Sequence, residues 1–294
     1  VSKTRESPET AIDSLMERAS RALIGRDYFA AERLCLEALE IAHKACDYER
    51  MARICLPLQE ARRQKRDLAA DAAARGAIFP VDDELPAPGT LRPGCYLVRP
   101  PRVGLDGRML RELADRREVP VIVVVREPRT RAGLWPIVAL GPVTIRAQVP
   151  PPPPPSPSAS GSNSPAAARR GSKVRRVNAP ARDPQPEAHS PADNDRILPR
   201  VEWFLDAAER LGDAALAGLN PARPVLGRVE DLLVRLAAHP DHEKLHQALE
   251  AACRDAARLP ERERRLPPAD ADPDAIAPDH DDDEFGEGSG IADD

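Results

Sequence analysis

Residues 119–125 read Val-Pro-Val-Ile-Val-Val-Val, a run that is β-branched on both sides of its proline and too short for a helix of its own. Such a run fits a strand buried on both faces. Pro120 belongs at its start, where a missing amide donor costs least, and Arg126-Glu127-Pro128 ends it with charge and a helix-incompatible dipeptide. A strand of this kind needs partners beside it and cover above and below.

The flanking residues supply the partners. Gly94-Cys-Tyr-Leu-Val98 reads as a short strand, and Asp106 as the N-cap of a helix over 107–117 with Met109, Leu110 and Leu113 on one face. Strand, helix and strand make a βαβ unit with parallel strands and a right-handed crossover. Residues 134–140 and 143–149 offer two more extended pieces, with Gly141-Pro142 at the turn between them. Residues 78–90 read as an acidic, proline-punctuated connector. A sheet of three or four strands with one helix leaves a face bare, and the helices that precede it are the nearest cover.

Those helices begin at Thr10–Ile24, with Ile12, Leu15, Met16, Ala19, Ala22 and Leu23 on one face. Gly25-Arg-Asp27 breaks the pattern and Tyr28–Ala45 resumes it, so the two form an antiparallel hairpin. A third helix covers about 47–74, where Pro57 predicts a kink and Arg62-Arg-Gln-Lys-Arg66 makes the far end basic. The stretch 25–41 resembles the second half of a tetratricopeptide repeat, with Tyr28, Ala31, Cys35 and Ala38 where that family places its aromatic, small, bulky and small packing residues. The preceding helix departs from the pattern, having Arg18-Ala19 where a Leu-Gly pair is usual. About one and a half repeats are covered, and about three are usually needed for stability, so this segment has to pack on something else. The resemblance implies a protein-binding module without catalytic residues.

From Pro150 the composition changes. Six consecutive prolines, of 33 in the chain, open a Ser-, Ala-, Pro- and charge-rich stretch that reads as a disordered linker over 150–195. Amphipathic stretches then begin at Val201, Val225 and about Asp241, punctuated by Pro221, Pro224 and Pro240, and read as a small three-helix bundle over 196–260. Residues 261–294 read as a disordered acidic tail. The fold class expected is α+β: repeat-like helices docked on a small βαβ-plus-hairpin sheet over 8–149, then linker, bundle and tail. This arrangement, with 49–64 and 240–247 in particular, also resembles a group of planctomycete bacterial proteins that brings no assigned activity.

Several function classes are disfavoured. The five cysteines form no C-x-x-C pair and read as reduced, mostly buried thiols rather than a zinc ribbon or disulfide framework. No apolar run approaches the roughly 18 residues of a spanning helix, so a soluble cytoplasmic protein with no membrane partner is expected. Eleven acidic groups over 269–294 carry the net charge of −5; without them the chain would stand at +6. The basic run 169–176, which contains Ser172, lacks the interleaved aromatics that stack bases, and a nucleic-acid partner is not expected. Residues 279–290 have Glu284 where a calcium loop needs glycine and Gly290 where it needs its bidentate glutamate.

Two constellations carry candidate chemistry. His242-Glu243-Lys-Leu-His246 matches the H-E-x-x-H zinc string. Pro240 puts it in a first turn, Lys244 adds a cation inside it, and no third ligand follows. We read it as a solvated first turn with Glu243 near the positive helix end, and assign no metal. The second constellation is Arg99, Arg102, Arg126 and Arg129 at the carboxyl ends of the two parallel strands, beside a helix start, where a phosphate or carboxylate could be held. No Walker loop, dinucleotide fingerprint or nearby histidine base accompanies it. The sequence therefore favours a non-enzymatic interaction or scaffold protein without cofactor, binding protein partners it does not identify. The rival is a small α/β regulator or enzyme that binds an anion at those arginines.

Overall fold

The computed structural model describes residues 7–153 and 198–265. Eight helices and one five-stranded sheet make up these residues: α1 (Pro8–Ile24), α2 (Tyr28–Lys44), α3 (Tyr48–Ala74), β1 (Ile78–Val81), β2 (Gly94–Val98), α4 (Gly104–Arg116), β3 (Val121–Arg126), β4 (Trp135–Leu140), β5 (Thr144–Val149), α5 (Val201–Ala217), α6 (Val225–Ala238), α7 (Glu243–Ala257) and the single turn α8 (Glu261–Arg264). The fold is mixed α+β.

The strands lie in chain order, β1 to β5. β1, β2 and β3 are parallel, and β4 and β5 follow antiparallel. The run expected to be buried on both faces is β3, and its alternation is clean. Ile122 and Val124 point into one core with Cys95 and Leu97 of β2, while Val125 joins Tyr96 and Val98 in a second core with Leu110 and Ala114 of α4. Gly107 allows α4 to approach so closely, since a Cβ there would stand 2.1 Å from Val125 Cγ2.

Two expectations are corrected. Residues 78–81 are not connector but strand β1, paired with β2 from Ile78↔Cys95 to Val81↔Val98. The segment is short and contains Pro80, which an edge strand tolerates because one row of its amides needs no partner; Phe79 packs its ring 4.9 Å from that of Tyr96. Helix α4 starts three residues earlier than expected, at Gly104. Val103 is the N-cap residue, and the Asp106 carboxylate accepts from its amide at 2.7 Å.

The N-terminal helices stack by a repeated joint. Arg26 and Cys46 both take positive φ (62° and 54°), and each is followed by an aspartate whose side chain caps the next helix, Asp27 on the amide of Ala30 and Asp47 on that of Arg50, both at 3.0 Å. α1 packs on α2, α2 on α3, α3 on α7 and α7 on α6. α3 runs through Pro57 without interruption.

Only α3 among the first three helices lies on the sheet, against β2 and β3; the rest of that face is covered by α5, which packs on β5, β4 and β3. Trp203 of α5 meets Trp135 of β4 edge-on at 5.5 Å and donates its indole N–H to the Pro150 carbonyl at 2.9 Å. The helices beyond residue 196, read from sequence as a bundle of their own, thus share one continuous hydrophobic core with α1–α3 and the sheet. The linker and tail expectations fall largely on 154–197 and 266–294, which lie outside the described residues.

Candidate functional site

The strand-end arginines are engaged with their own chain. Arg99 holds Asp82 through both carboxylate oxygens, with Nε 2.6 Å from Oδ1. Arg102 contacts Asp106 at 3.3 Å and the Asp83 carbonyl. Arg126 is buried with its guanidinium 4.6 Å from the Trp135 ring centre, a cation–π contact. Arg129 sits half-buried in the loop between β3 and β4. Of the four, only Arg102 lines the cavity of about 420 Å³ at the strand ends, together with Pro100, Gly104, Glu127, Pro128 and Pro136. The Asp106 carboxylate on the Val103 amide already occupies the place at the α4 start that a bound anion would take.

The H-E-x-x-H residues fare differently. They are not solvated: His242 and His246 are each 1% exposed. α7 packs on α3 and also meets α5, and its two imidazoles diverge toward those two helices. His246 Nδ1 lies 3.0 Å from the His242 carbonyl and can only donate to it, so Nε2 carries the lone pair, which accepts from Arg62 Nη1 at 3.2 Å. Burial, reinforced by Arg62, pushes His246 down to about 3 and keeps it neutral. With both nitrogens committed, it cannot share a metal with His242. Glu243 pairs with Arg66 at 2.7 Å.

Arg62 and its neighbours anchor a largely buried ionic belt between α2, α3, α4 and α7. Arg62 and Lys65 reach the two oxygens of Glu32 at 2.7 and 2.6 Å, and Lys65 also reaches Asp115 at 2.6 Å. Burial alone would raise the Glu32 carboxyl, but the two cations overcome it and hold the group at about 2. The basic end of α3 is therefore a buttress, not an exposed charge patch.

No family model, curated protein or solved structure matches this chain. The site has to be read from its own chemistry.

Beside the belt a second cavity, about 340 Å³, opens between α3, α5 and the turn His239-Pro-Asp-His242, lined by Arg66, Asp206, Glu209, His239, Asp241 and His242. Pro240 stops α6 and starts this turn. His239 donates its Nε2–H to the Ala208 carbonyl at 2.9 Å, since a carbonyl oxygen can only accept. Burial drives it down to about 3, and burial pushes Asp241 above the ordinary carboxylate range. His242 is the N-cap residue of α7 but caps nothing with its side chain. Its ring instead lies against Gly212 of α5, where a Cβ would fall 2.0 Å from His242 Cγ. There Nε2 faces Glu209 Oε1 and Asp213 Oδ1, each at 3.5 Å, and burial lowers its pKa. Lys244 Nζ approaches the same two oxygens at 2.7 and 2.8 Å.

Neutral imidazole, carboxylates and a concave wall make an arrangement suited to exchanging protons or holding a cation. Sequence reasoning found His242 but missed Glu209, Asp213, His239 and Asp241. The pair Glu209/Asp213 is four residues apart on one helix face, a spacing that by itself means only a polar stripe, and nothing in the sequence ties that stripe to a turn thirty residues later. No helix of the described residues is long and apolar enough to cross a membrane.

Proposed function

We propose that the chain is a non-enzymatic, cytoplasmic interaction or scaffold protein whose tetratricopeptide-like hairpin belongs to a longer helical stack. The observation that carries this reading is the side-by-side run α1, α2, α3, α7, built on a joint that recurs at Asp27 and Asp47. Ala31, Cys35 and Ala38, which carry the resemblance together with Tyr28, are fully buried in it. α7 provides the neighbour that one and a half repeats lack. Leu36 and Leu56 remain 40% and 64% exposed on its outer surface. Affinity purification of the full chain from its native organism should yield a stoichiometric protein partner. That partner, once purified, should bind the chain directly and lose affinity for a Leu36→Glu, Leu56→Glu chain. Equal binding by both chains would count against the reading.

A second reading, a small α/β regulator or enzyme holding an anionic ligand, is favoured by the 420 Å³ cavity at the strand ends and the one arginine that lines it. Thermal-shift screening with nucleotides and phosphorylated metabolites separates the two. Reproducible stabilisation that disappears in Arg102→Ala would favour this second reading over the first.

A further inference from the structure

We propose that Glu209, Asp213 and His242 form a binding site for a divalent transition-metal cation, and that Lys244 is the built-in cation such an ion displaces. Carboxylate oxygens and the imidazole nitrogen lie within 4.8 Å of one another. The two Nε2 to oxygen distances of 3.5 Å are close to the edge of a tetrahedron with metal–ligand bonds near 2.05 Å, about 3.3 Å.

The acidic pair alone would mean little. What points to a ligand is His242, whose side chain is entirely buried and whose two ring nitrogens have no hydrogen-bond partner. Buried polar groups are nearly always paired, and this one is aimed at two carboxylates. Lys244 satisfies the carboxylates at 2.7 and 2.8 Å but makes no hydrogen bond to the imidazole, whose two ring nitrogens stay without a partner. A metal ion would satisfy all three at once. Its fourth position would face outward, because Glu209 and Asp213 are 43% and 50% exposed, leaving room for water.

The donor set selects the class of ion. One imidazole and two carboxylates suit zinc and its first-row neighbours, whereas magnesium and calcium prefer oxygen alone. Gly212 is part of the design, since any side chain there would evict the ring. The site is distinct from the H-E-x-x-H pair, because His246 faces Arg62. Ligation would tie α5 to the α6–α7 turn.

The test uses the full chain, stripped with chelator and titrated with Co²⁺, whose absorption reports its ligands, followed by competition with Zn²⁺. One equivalent should bind with a nitrogen–oxygen spectrum and without the thiolate charge-transfer absorption that any of the five cysteines would produce. Binding should be lost in Glu209→Gln, Asp213→Asn, whose substitutions sit at half-exposed positions and should leave the fold intact by circular dichroism. In Lys244→Ala it should tighten several-fold, because the competing ammonium is gone. A mere salt-bridge cluster would show no such gain. Absence of uptake, uptake that survives the double substitution, thiolate absorption, or an affinity unchanged in Lys244→Ala would each overturn the proposal.

Discussion

The helix that closes one face of the sheet, α4, is the crossover from β2 to β3 and lies on β3 and β4, whereas the opposite face is closed by α3, which precedes the sheet, and α5, which follows it across a long proline-rich segment. The core beneath α4 draws on residues from Val81 to Val138. The other core draws on residues from Ile12 to Ala256. Its polar reinforcement, the belt around Glu32 and Arg62, likewise joins elements far apart in sequence, and the cavity at His239–His242 lies beside it. Local closure makes a unit that a reader of the sequence can assemble; distant closure makes the places where side chains from separate segments meet.

The largest expected effects fall on the distant face. Trp135→Ala removes a fully buried side chain against α5 and should cost about 3–5 kcal/mol, seen as one shifted unfolding transition for helices and sheet together. Leu110→Ala on the α4 face should cost about 2–5 kcal/mol, and a lower cost for Trp135→Ala than for Leu110→Ala would reverse the ranking of the faces. Arg62→Ala leaves the largely buried Glu32 carboxylate with Lys65 as its remaining cation partner, and should cost about 3 kcal/mol by denaturant titration. A loss under about 1 kcal/mol would mean that the belt is effectively solvated.

Acid should weaken the same face. An unfolded chain protonates its histidines near 6.5, but His239 and His246 stay neutral in the folded chain down to about 3. Over that interval the unfolded chain binds more protons, so stability falls as pH falls. Glu32 acts in the same direction lower down: its contribution, about 3 kcal/mol, is present above about 4.5 and lost as pH falls toward 2. The two tryptophans, Trp135 and Trp203, both report on the distant face. Their fluorescence midpoint in denaturant should drop between pH 6.5 and 4, and less steeply in His246→Gln. A flat profile would contradict the buried neutral histidines.

The smallest effect concerns the helix joints. Asp47→Ala removes one N-cap and its contact with Arg50, for about 1 kcal/mol, and Asp27→Ala should cost a similar amount if the two joints are equivalent.

This division explains what could be read in the sequence. The β-branched run gave β3, helical spacing gave α1–α7, and Gly141-Pro142 marked the β4–β5 turn, because each depends on residues close in the chain. β1 was missed, since four residues with a proline satisfy no periodicity and become a strand only through β2. Spacing also showed which face of α5 is apolar without showing that Trp203 would meet Trp135. The arginines at the strand ends were placed correctly along the chain, but their partners Asp82, Asp83 and Asp106 were not foreseen. His242 looked like half of a zinc string; Gly212, which decides where its ring goes, lies thirty residues earlier and has no side chain to signal the contact.

The helices after residue 198 belong to the same core as those before residue 153. A specific protease site introduced between 154 and 197 allows the folded full chain to be cut once, and the products followed by size-exclusion chromatography and calorimetry. The two pieces should stay together, elute at the mass of the intact chain and melt in one transition, because Trp203, α7 and the ionic belt hold them. Two pieces that separate without denaturant, each retaining its own cooperative melt, would contradict the shared core and remove the wall on which the His242 cavity is built.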